Sequence, residues 1–288
     1  LEELFRAYLG MDLPEIEMDI ETYFREYDFQ ARPGSKELRD DFLRELFADP
    51  PPIPDISRKP VEVWAHDDVL KYGRRGTLTY LLSSLQERAK LVGTTESSMV
   101  SAAFASMLAE KGQVDEVILA VASSQRTSRH LKHYVNSLTT NLPVRVRPKD
   151  FARLEDMAVA IKHGIEAASV HKTFLDAYNF GEFREEVLAK GSYMTLFLTG
   201  EVAPGNWNSG SLSAPIQRFD AAGEIDLGSM KLNLSPGIVR EHTTTKALDV
   251  RSFKTQDSLG VVLAYDTLGF DCDEAEAFLA DVVTRLDL

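Results

Sequence analysis

One segment, DEVILAVASS at residues 115–124, constrains the fold more than any other part of the sequence. Its apolar residues follow one another without the alternation of a half-exposed strand. A strand of this kind is buried on both faces, as in sheets that carry packed helices. The segment therefore predicts the central strand of a sheet in a layered α/β domain.

Amphipathic helices and strands alternate around this segment. Thr95 is predicted to cap a helix that buries Met99, Ala103, Phe104, Met107 and Leu108. Further helices are predicted at 83–92, from Asp150 with Phe151, Leu154, Met157, Ala158, Ile161 and Ile165 on one side, at 174–189, and after Asp271 with Ala275, Phe278, Leu279, Val282, Val283 and Leu286 buried. Strands are predicted at 61–66, 77–82, 141–147, 193–198, 229–234, 246–254 and 258–266, and a loop with short extended pieces at 200–228. The expected fold class is an α/β (α+β sandwich) domain with a mixed β-sheet flanked by helices.

The first 60 residues differ from this pattern. Ser35 is predicted to cap a helix whose apolar stripe is Leu38, Phe42, Leu43, Leu46 and Phe47. Four prolines between 50 and 54 end that helix, because proline lacks an amide donor and clashes with the preceding turn. This proline-rich stretch is the clearest linker in the chain.

Charge and cysteine content limit the function classes. The 288 residues carry a net charge of −13, which repels nucleic-acid phosphates and anionic lipid, and no apolar run reaches the roughly 18 residues that a membrane span needs. Cys272 is the single cysteine, so a disulfide framework and a cysteine-based zinc cluster are excluded and a reducing cytoplasm is expected. Because the sequence opens at Leu1 inside a helical pattern, without a Met, it is expected to be a fragment.

Isolated motifs for catalysis or metal binding are weak. His130 and His133 share a helical spacing but lack a third ligand nearby, and the cluster at residues 66–68 is better explained as solvated loop. No serine stands in a nucleophile elbow, and no glycine-rich phosphate loop is present. The sequence therefore predicts no metal site.

The end of the apolar strand is more informative. Small residues lead to Arg126, which would place a cation at the carboxyl edge of the sheet, where substrate crevices often form. A half-buried arginine needs a carboxylate partner. Spacing alone favours a structural ion pair and leaves a substrate role open.

Residues 115–147 resemble part of the condensation domains of non-ribosomal peptide synthetases, in the chloramphenicol-acetyltransferase-like superfamily. Arg126 matches a strand-end arginine, and the sequence NLPVR at 141–145 matches a Leu-Pro-Leu-Arg motif. The asparagine of the family's Val-Asn-Thr motif corresponds to Asn136 if the neighbouring residues are matched. It corresponds to Asn141 if the distance to the Leu-Pro step is matched. Weaker similarity extends over 35–60, 75–111, 246–250 and 257–286.

Three motifs depart from the family pattern. An Arg-Asp-x-Ser-Arg-Asn-Pro-Leu motif is replaced near 180–195, and a His-Gln-Asp step is only echoed at 170–172. The catalytic His-His-x-x-x-Asp-Gly motif is absent, and in the family it precedes a helix like residues 1–9. The resemblance therefore implies a C-terminal lobe at 61–288, with 200–240 as a segment crossing to the other lobe, preceded by a helical lead-in and linker at 1–60.

The resemblance also implies a function. Two lobes would bind carrier-protein domains, whose phosphopantetheine arms deliver a donor thioester and an acceptor amine or alcohol; the chain itself would bind no cofactor. Ser124, Gln125 and Asn136 or Asn141 would line the substrate channel, while Arg126 would pair with the aspartate of the missing motif. The lobe alone is expected to be inactive, with no catalytic residue of its own.

Three alternatives stand beside this interpretation. One is a stand-alone acyltransferase of the same superfamily that uses acyl-CoA, and another is a non-catalytic lobe that recruits a partner protein. The third is an unrelated α/β domain, in which Arg126 would not face a groove at a sheet edge.

Overall fold

A computed structural model describes the part of the chain that holds the main sheet and its helices. The described residues are 21, 34–49, 51–52, 54–56, 72–124, 139–170, 197–201, 223–226, 231–234, 248–254, 258–266 and 269–287. By its contacts the chain divides into two compact units. The smaller unit comprises 1–27, 126–137 and 203–241, and the larger comprises 28–125, 138–202 and 242–288.

The larger unit alternates helices and strands, as predicted. Its helices are α1 (Ser35–Leu46), α2 (Leu82–Leu91), α3 (Glu96–Lys111), α4 (Leu154–Val170) and α5 (Cys272–Asp287), with a short 3-10 helix at Pro148–Asp150. Its strands are β1 (Tyr72–Leu81), β2 (Val117–Ser124), β3 (Thr139–Val146), β4 (Phe197–Glu201), β7 (Leu248–Lys254) and β8 (Ser258–Asp266). In the smaller unit, β5 (Gly223–Asp226) pairs antiparallel with β6 (Lys231–Leu234).

The six strands of the larger unit form one mixed sheet, so the predicted fold class is confirmed. Their order is β1-β8-β7-β4-β2-β3. Strand β4 runs parallel to both β2 and β7, while β1–β8, β7–β8 and β2–β3 are antiparallel. The parallel strands β2, β4 and β7 therefore end at the same edge.

Helices α3, α4 and α5 cover one face of this sheet. Helix α3 packs on the central strands β2, β4 and β7, α4 packs on β3, and α5 packs on β1 and β8. Alternate sheet residues such as Leu119, Val144, Val250 and Leu263 join the helices in one buried core. Strand β2 is buried on both faces, as its run of apolar residues predicts. Ile118 and Ala120, which lie on the face opposite to Leu119, are also fully buried.

The predictions for α3 and α5 are confirmed, because both helices carry their own start signals and apolar patterns. Thr95 Oγ1 accepts a hydrogen bond from the Ser98 amide (3.1 Å). At α5, Asp271 Oδ1 accepts from the Glu274 amide (2.8 Å) and Glu274 Oε2 accepts from the Asp271 amide (2.9 Å), a reciprocal capping box. All of the apolar residues predicted to be buried in these two helices are buried.

Helix α1 corrects the prediction for its cap and for its inward face. Gly34, at φ 77°, is the N-cap, and Ser35 is the first helical residue. Leu38 is 57% exposed, whereas the ion-paired side chains of Arg39 and Asp40 are each 13% exposed. Leu43 and Phe47 are buried as expected. The inward face of the helix therefore includes the Arg39–Asp40 ion pair in place of Leu38, which the predicted apolar stripe had placed there.

Five other predictions are affected by element boundaries or by the extent of the described residues. The helix expected from Asp150 begins at Leu154, because the 3-10 turn at Pro148–Asp150 comes first. The predicted strand at 229–234 begins at Lys231 among the described residues. The predicted strand at 61–66, the helix at 174–189 and the first four residues of the strand at 193–198 lie outside the described residues.

The proline-rich stretch after α1 is packed against the end of α3. Pro51 and Pro54 are buried, and Ile56 packs against the core. A Cβ atom on Gly112 would lie 2.4 Å from the Pro54 Cβ and 2.7 Å from its Cα. Only glycine fits at this crossing of the two segments.

No described helix is long and apolar enough to span a membrane.

Candidate functional site

The carboxyl ends of β2 and β4 and the adjoining residues of β3 and β7 meet at one edge of the sheet. Ala122 of β2 is in register with Asn141 of β3 and with Gly200 of β4, which is in turn in register with Arg251 of β7. Two register positions further, Ser124 ends β2 opposite Thr139. This edge is the place where ligands bind in open α/β sheets.

The sheet face away from α3, α4 and α5 opens toward this edge. Ile118 and Ala120 are buried, but Ala122 and Asn141 are half-buried. Alternate residues of a strand share a face, so these positions form one line along β2 and β3 that becomes accessible at the carboxyl end of β2. Ala120 and Ala122 are small, and the Asn141 amide can donate and accept hydrogen bonds at the accessible end of this line.

The structure brings two of the predicted channel residues to this edge. Ser124 is the last residue of β2, and Asn141 lies on the neighbouring strand two register positions away. Gln125, Arg126 and Asn136 lie outside the described residues, so their roles stay predictions.

An ion pair that the sequence analysis did not single out holds the other end of the β2–β3 ladder. Arg145 Nη2 donates to Glu116 Oε2 (2.8 Å), and Arg147 Nη2 lies 3.6 Å from the same oxygen. The hydrogen bond from Arg145 lowers the pKa of Glu116 below its usual 4.5, against the opposing effect of burial. The alternation of charged and apolar residues at 144–147 was the available signal, but it does not identify the partner.

Asp249 is a second residue that the sequence analysis did not assign to a role. It lies in the middle of β7, is only 3% exposed and takes part in an interaction. Asp249 is in register with Leu198 of β4, which is in register with Ala120 of β2. Along β2 this row lies two residues before Ala122, the partner of Asn141. A carboxylic acid between the apolar residues Leu248 and Val250 was a visible signal, because acidic groups are rarely buried without a partner.

The described part of this edge carries groups that can bind a ligand. It offers small side chains and the Asn141 amide, and no group of three or more potential metal ligands occurs among the described residues. An asparagine amide can orient a polar group but is a poor proton acceptor at neutral pH. The Asn141 amide is therefore suited to orient a polar group of a ligand at this edge.

Comparisons with known proteins identify the architecture. No protein-family model and no curated protein matches the sequence. Solved structures do match: the first condensation domain of the calcium-dependent antibiotic synthetase has a TM-score of 0.63 at 15% identity, covering 99% of this chain and 58% of that one. The cyclization-docking bidomain of the EpoB non-ribosomal peptide synthetase from Sorangium cellulosum has a TM-score of 0.71 at 14% identity, covering 98% and 53%.

A third similar structure is the condensation domain that mediates chain release from the enacyloxin polyketide synthase, with a TM-score of 0.65 at 15% identity, covering 98% and 52%. The chain thus spans between 52% and 58% of the length of these three solved chains. The predicted resemblance is confirmed at the level of fold. Nearly the whole of this chain has the chloramphenicol-acetyltransferase-like fold found in the condensation domains of non-ribosomal peptide synthetases.

Proposed function

We propose that this chain is the C-terminal lobe of a condensation domain that joins a carrier-bound acyl or aminoacyl thioester to an acceptor amine or alcohol. The supporting observation is the coverage: condensation-domain structures match 98–99% of this chain, while the chain matches 52–58% of theirs. A chain that is matched almost completely by part of a larger domain corresponds to a part of that domain.

The proposed site is the carboxyl edge of β2 together with residues that follow it. Ser124, Gln125 and either Asn136 or Asn141 line the substrate path, and Arg126 forms an ion pair with the aspartate of a His-His-x-x-x-Asp-Gly motif in the other lobe. Residues 200–240 contain the segment that crosses to that lobe, and the first two of them, Gly200 and Glu201, are still part of β4. The half-buried position of Asn141 beside Ala122 supports the first of these assignments.

The cofactor and partners follow from the same proposal. Phosphopantetheine arms on peptidyl or acyl carrier domains bring both substrates, and this lobe holds no cofactor of its own. The net charge of −13 disfavours nucleic acid and anionic membrane as partners. The single cysteine fits the proposed cytoplasmic location.

The first test compares this lobe with the longer protein that contains it. Both are incubated with a donor carrier bearing an acyl thioester and an acceptor carrier bearing an amine, and transfer to the acceptor is followed by intact-protein mass spectrometry. The longer protein should transfer the acyl group and the isolated lobe should not, because it lacks the general base and half of the channel. Transfer from acyl-CoA but not from the carrier would indicate the acyltransferase alternative, and no transfer from either donor would indicate a recruiting lobe.

The second test decides between the two asparagines. Asn141→Ala and Asn136→Ala are made separately in the longer protein, so that each serves as the matched control for the other. The residue that lines the path should lower kcat/KM by roughly tenfold when it is truncated, since a positioning contact is lost. Equal activity in both variants and in the unmodified protein would refute both assignments.

The third test concerns Arg126, with Arg129→Ala as the control. Loss of one partner of a buried ion pair should cost about 3–5 kcal/mol, measured as thermal unfolding of the longer protein. Unchanged unfolding and unchanged activity of Arg126→Ala would contradict the proposed pairing.

A further inference from the structure

Arg145 joins three separate segments of the larger unit. From edge strand β3 its guanidinium donates to the Leu46 carbonyl (2.8 Å), the Asp49 carbonyl (2.6 Å) and Glu116 Oε2 (2.8 Å). The Arg145 side chain is 21% exposed and that of Glu116 is 15% exposed. The bonds to the Leu46 carbonyl and to Glu116 are partly buried, whereas the bond to the Asp49 carbonyl is exposed. They are charge-assisted and therefore stronger than neutral hydrogen bonds.

The two carbonyls belong to the end of α1 and the turn that follows it. The last carbonyls of a helix have no partner inside the helix, and they are the negative end of its dipole. The basic residue of the last turn of α1, Arg44, is instead paired with the exposed Asp41 (2.6 Å). Arg145 thus closes the carboxyl end of α1 from another element of the fold.

The same strand carries Asn141. Arg145 is in register with Ile118 and Asn141 with Ala122, so the two residues lie on the same face of β3, roughly 13 Å apart along the strand. In the described sheet β3 is an edge strand with one neighbour, β2. Its position depends on that single ladder, on α4 and on the contacts of Arg145.

We propose that Arg145 is a positioning residue for the substrate path, and this inference rests on the proposed function. It fixes β3 between the end of α1 and Glu116, and thereby keeps Asn141 at the carboxyl edge of β2. An arginine is required because a planar fork of donors reaches three acceptors at once, which a lysine ammonium on a single stem does not do.

The test uses the longer protein with Arg145→Lys and Glu116→Gln, and Arg44→Lys as the control on α1. We expect amide exchange of β3 and of residues 47–49 to become roughly tenfold faster in Arg145→Lys, because charge-assisted bonds are lost. Glu116→Gln, which keeps the two carbonyl bonds, should have a smaller effect. Arg44→Lys should leave the exchange of both segments unchanged.

A double-mutant cycle separates positioning from general stability. Arg145→Lys should lower kcat/KM by at most the roughly tenfold expected for Asn141→Ala, measured at a temperature at which the variant is fully folded, since small displacements of a lining residue are costly. In the background of Asn141→Ala it should lower kcat/KM little further, because its effect acts through Asn141. Additive losses, or unchanged exchange in β3, would overturn the inference. If the unmodified protein condenses nothing, the proposed function fails, while the exchange measurement still decides whether Arg145 holds β3.

Discussion

The two faces of the sheet are built in opposite ways. On the face that bears α3, α4 and α5, the described apolar side chains of β2, β3, β7 and β8 pack against apolar residues of the helices. On the other face burial declines along β2, from Ile118 and Ala120, which are buried, to Ala122, which is half-buried. The second face also carries an ion pair, because Glu116 and Arg145 are paired at its buried end.

This difference separates the residues that stabilise the lobe from those that are free to bind. A dry, close-packed face tolerates few changes, because each lost methylene leaves a cavity. An open strand end with small and polar residues contributes little to stability and is available to a ligand. The following predictions test this division, beginning with the helix-covered face.

Phe104→Ala should have the largest effect. Phe104 is fully buried in α3 between the other helices and the sheet. Its truncation should lower the free energy of unfolding by about 3–5 kcal/mol in a denaturant titration. Leu91→Ala, at an 85% exposed position, is the control and should change it by less than about 0.5 kcal/mol. A similar loss in both variants would contradict the division.

Gly112→Ala tests the segment that leads from α1 to the end of α3. The added Cβ would meet the Pro54 Cα at 2.7 Å, so the proline segment must shift. We expect a loss of about 1–3 kcal/mol on chemical denaturation. Gln113→Ala next to it is exposed and should be nearly neutral. Adding Pro54→Gly should recover part of the loss, and no recovery would mean that the strain lies elsewhere.

Glu116→Gln tests the held end of the second face. The variant should be less stable than the unmodified lobe by about 1–2 kcal/mol at pH 7, because a charge-assisted bond to Arg145 is weakened. The pKa of Glu116 is lower in the folded than in the unfolded state, so its contribution is complete above the usual 4.5. It is lost as the pH falls through the folded pKa, and unfolding curves of the two proteins should converge there. Asp115→Asn, at the neighbouring exposed position, should change stability little.

Ser252→Ala should have the smallest effect and the opposite sign. Ser252 is 1% exposed, and its hydroxyl has no hydrogen-bond partner among the described residues. Removing a buried, unsatisfied hydroxyl should raise the free energy of unfolding by about 0.5–1 kcal/mol. Ser106→Ala is the matched control: it removes the acceptor of a bond from Arg285 (2.8 Å) and should destabilise. Destabilisation by Ser252→Ala would show that the hydroxyl has a partner.

The sequence predicted those parts of the fold that carry local signals. The caps at Thr95 and Asp271 and the apolar spacing of α3 and α5 depend on residues within a few positions of one another. The double burial of β2 followed from its composition alone. These elements are stable in place because local preference and tertiary packing agree.

The remaining features depend on residues that are distant in sequence. The apolar stripe of α1 failed at Leu38 because tertiary packing places Arg39 and Asp40 inward, and no local pattern indicates that choice. Arg145 and Glu116 are 29 positions apart, and their pairing follows from the β2–β3 register. For the site, sequence placed Ser124 and Asn141 near one edge by resemblance to a family, and physical reasoning on spacing alone did not reach that arrangement.

The pairing of β1 with β8 has a consequence for synthesis. Tyr72 is in register with Asp266 and Leu81 with Ser258. The first strand of the described sheet therefore cannot pair until its last strand, β8, has been synthesised. Translation at about 5–20 residues per second imposes a delay on the order of ten seconds or more before that partner emerges. During this interval a ten-residue strand remains on the nascent chain without the ladder it forms in the finished sheet. A ribosomal pause, or a shortage of chaperone, while the ribosome is between β1 and β8 should therefore lower the yield of correctly folded protein. The same change after α5 has been synthesised should lower it less.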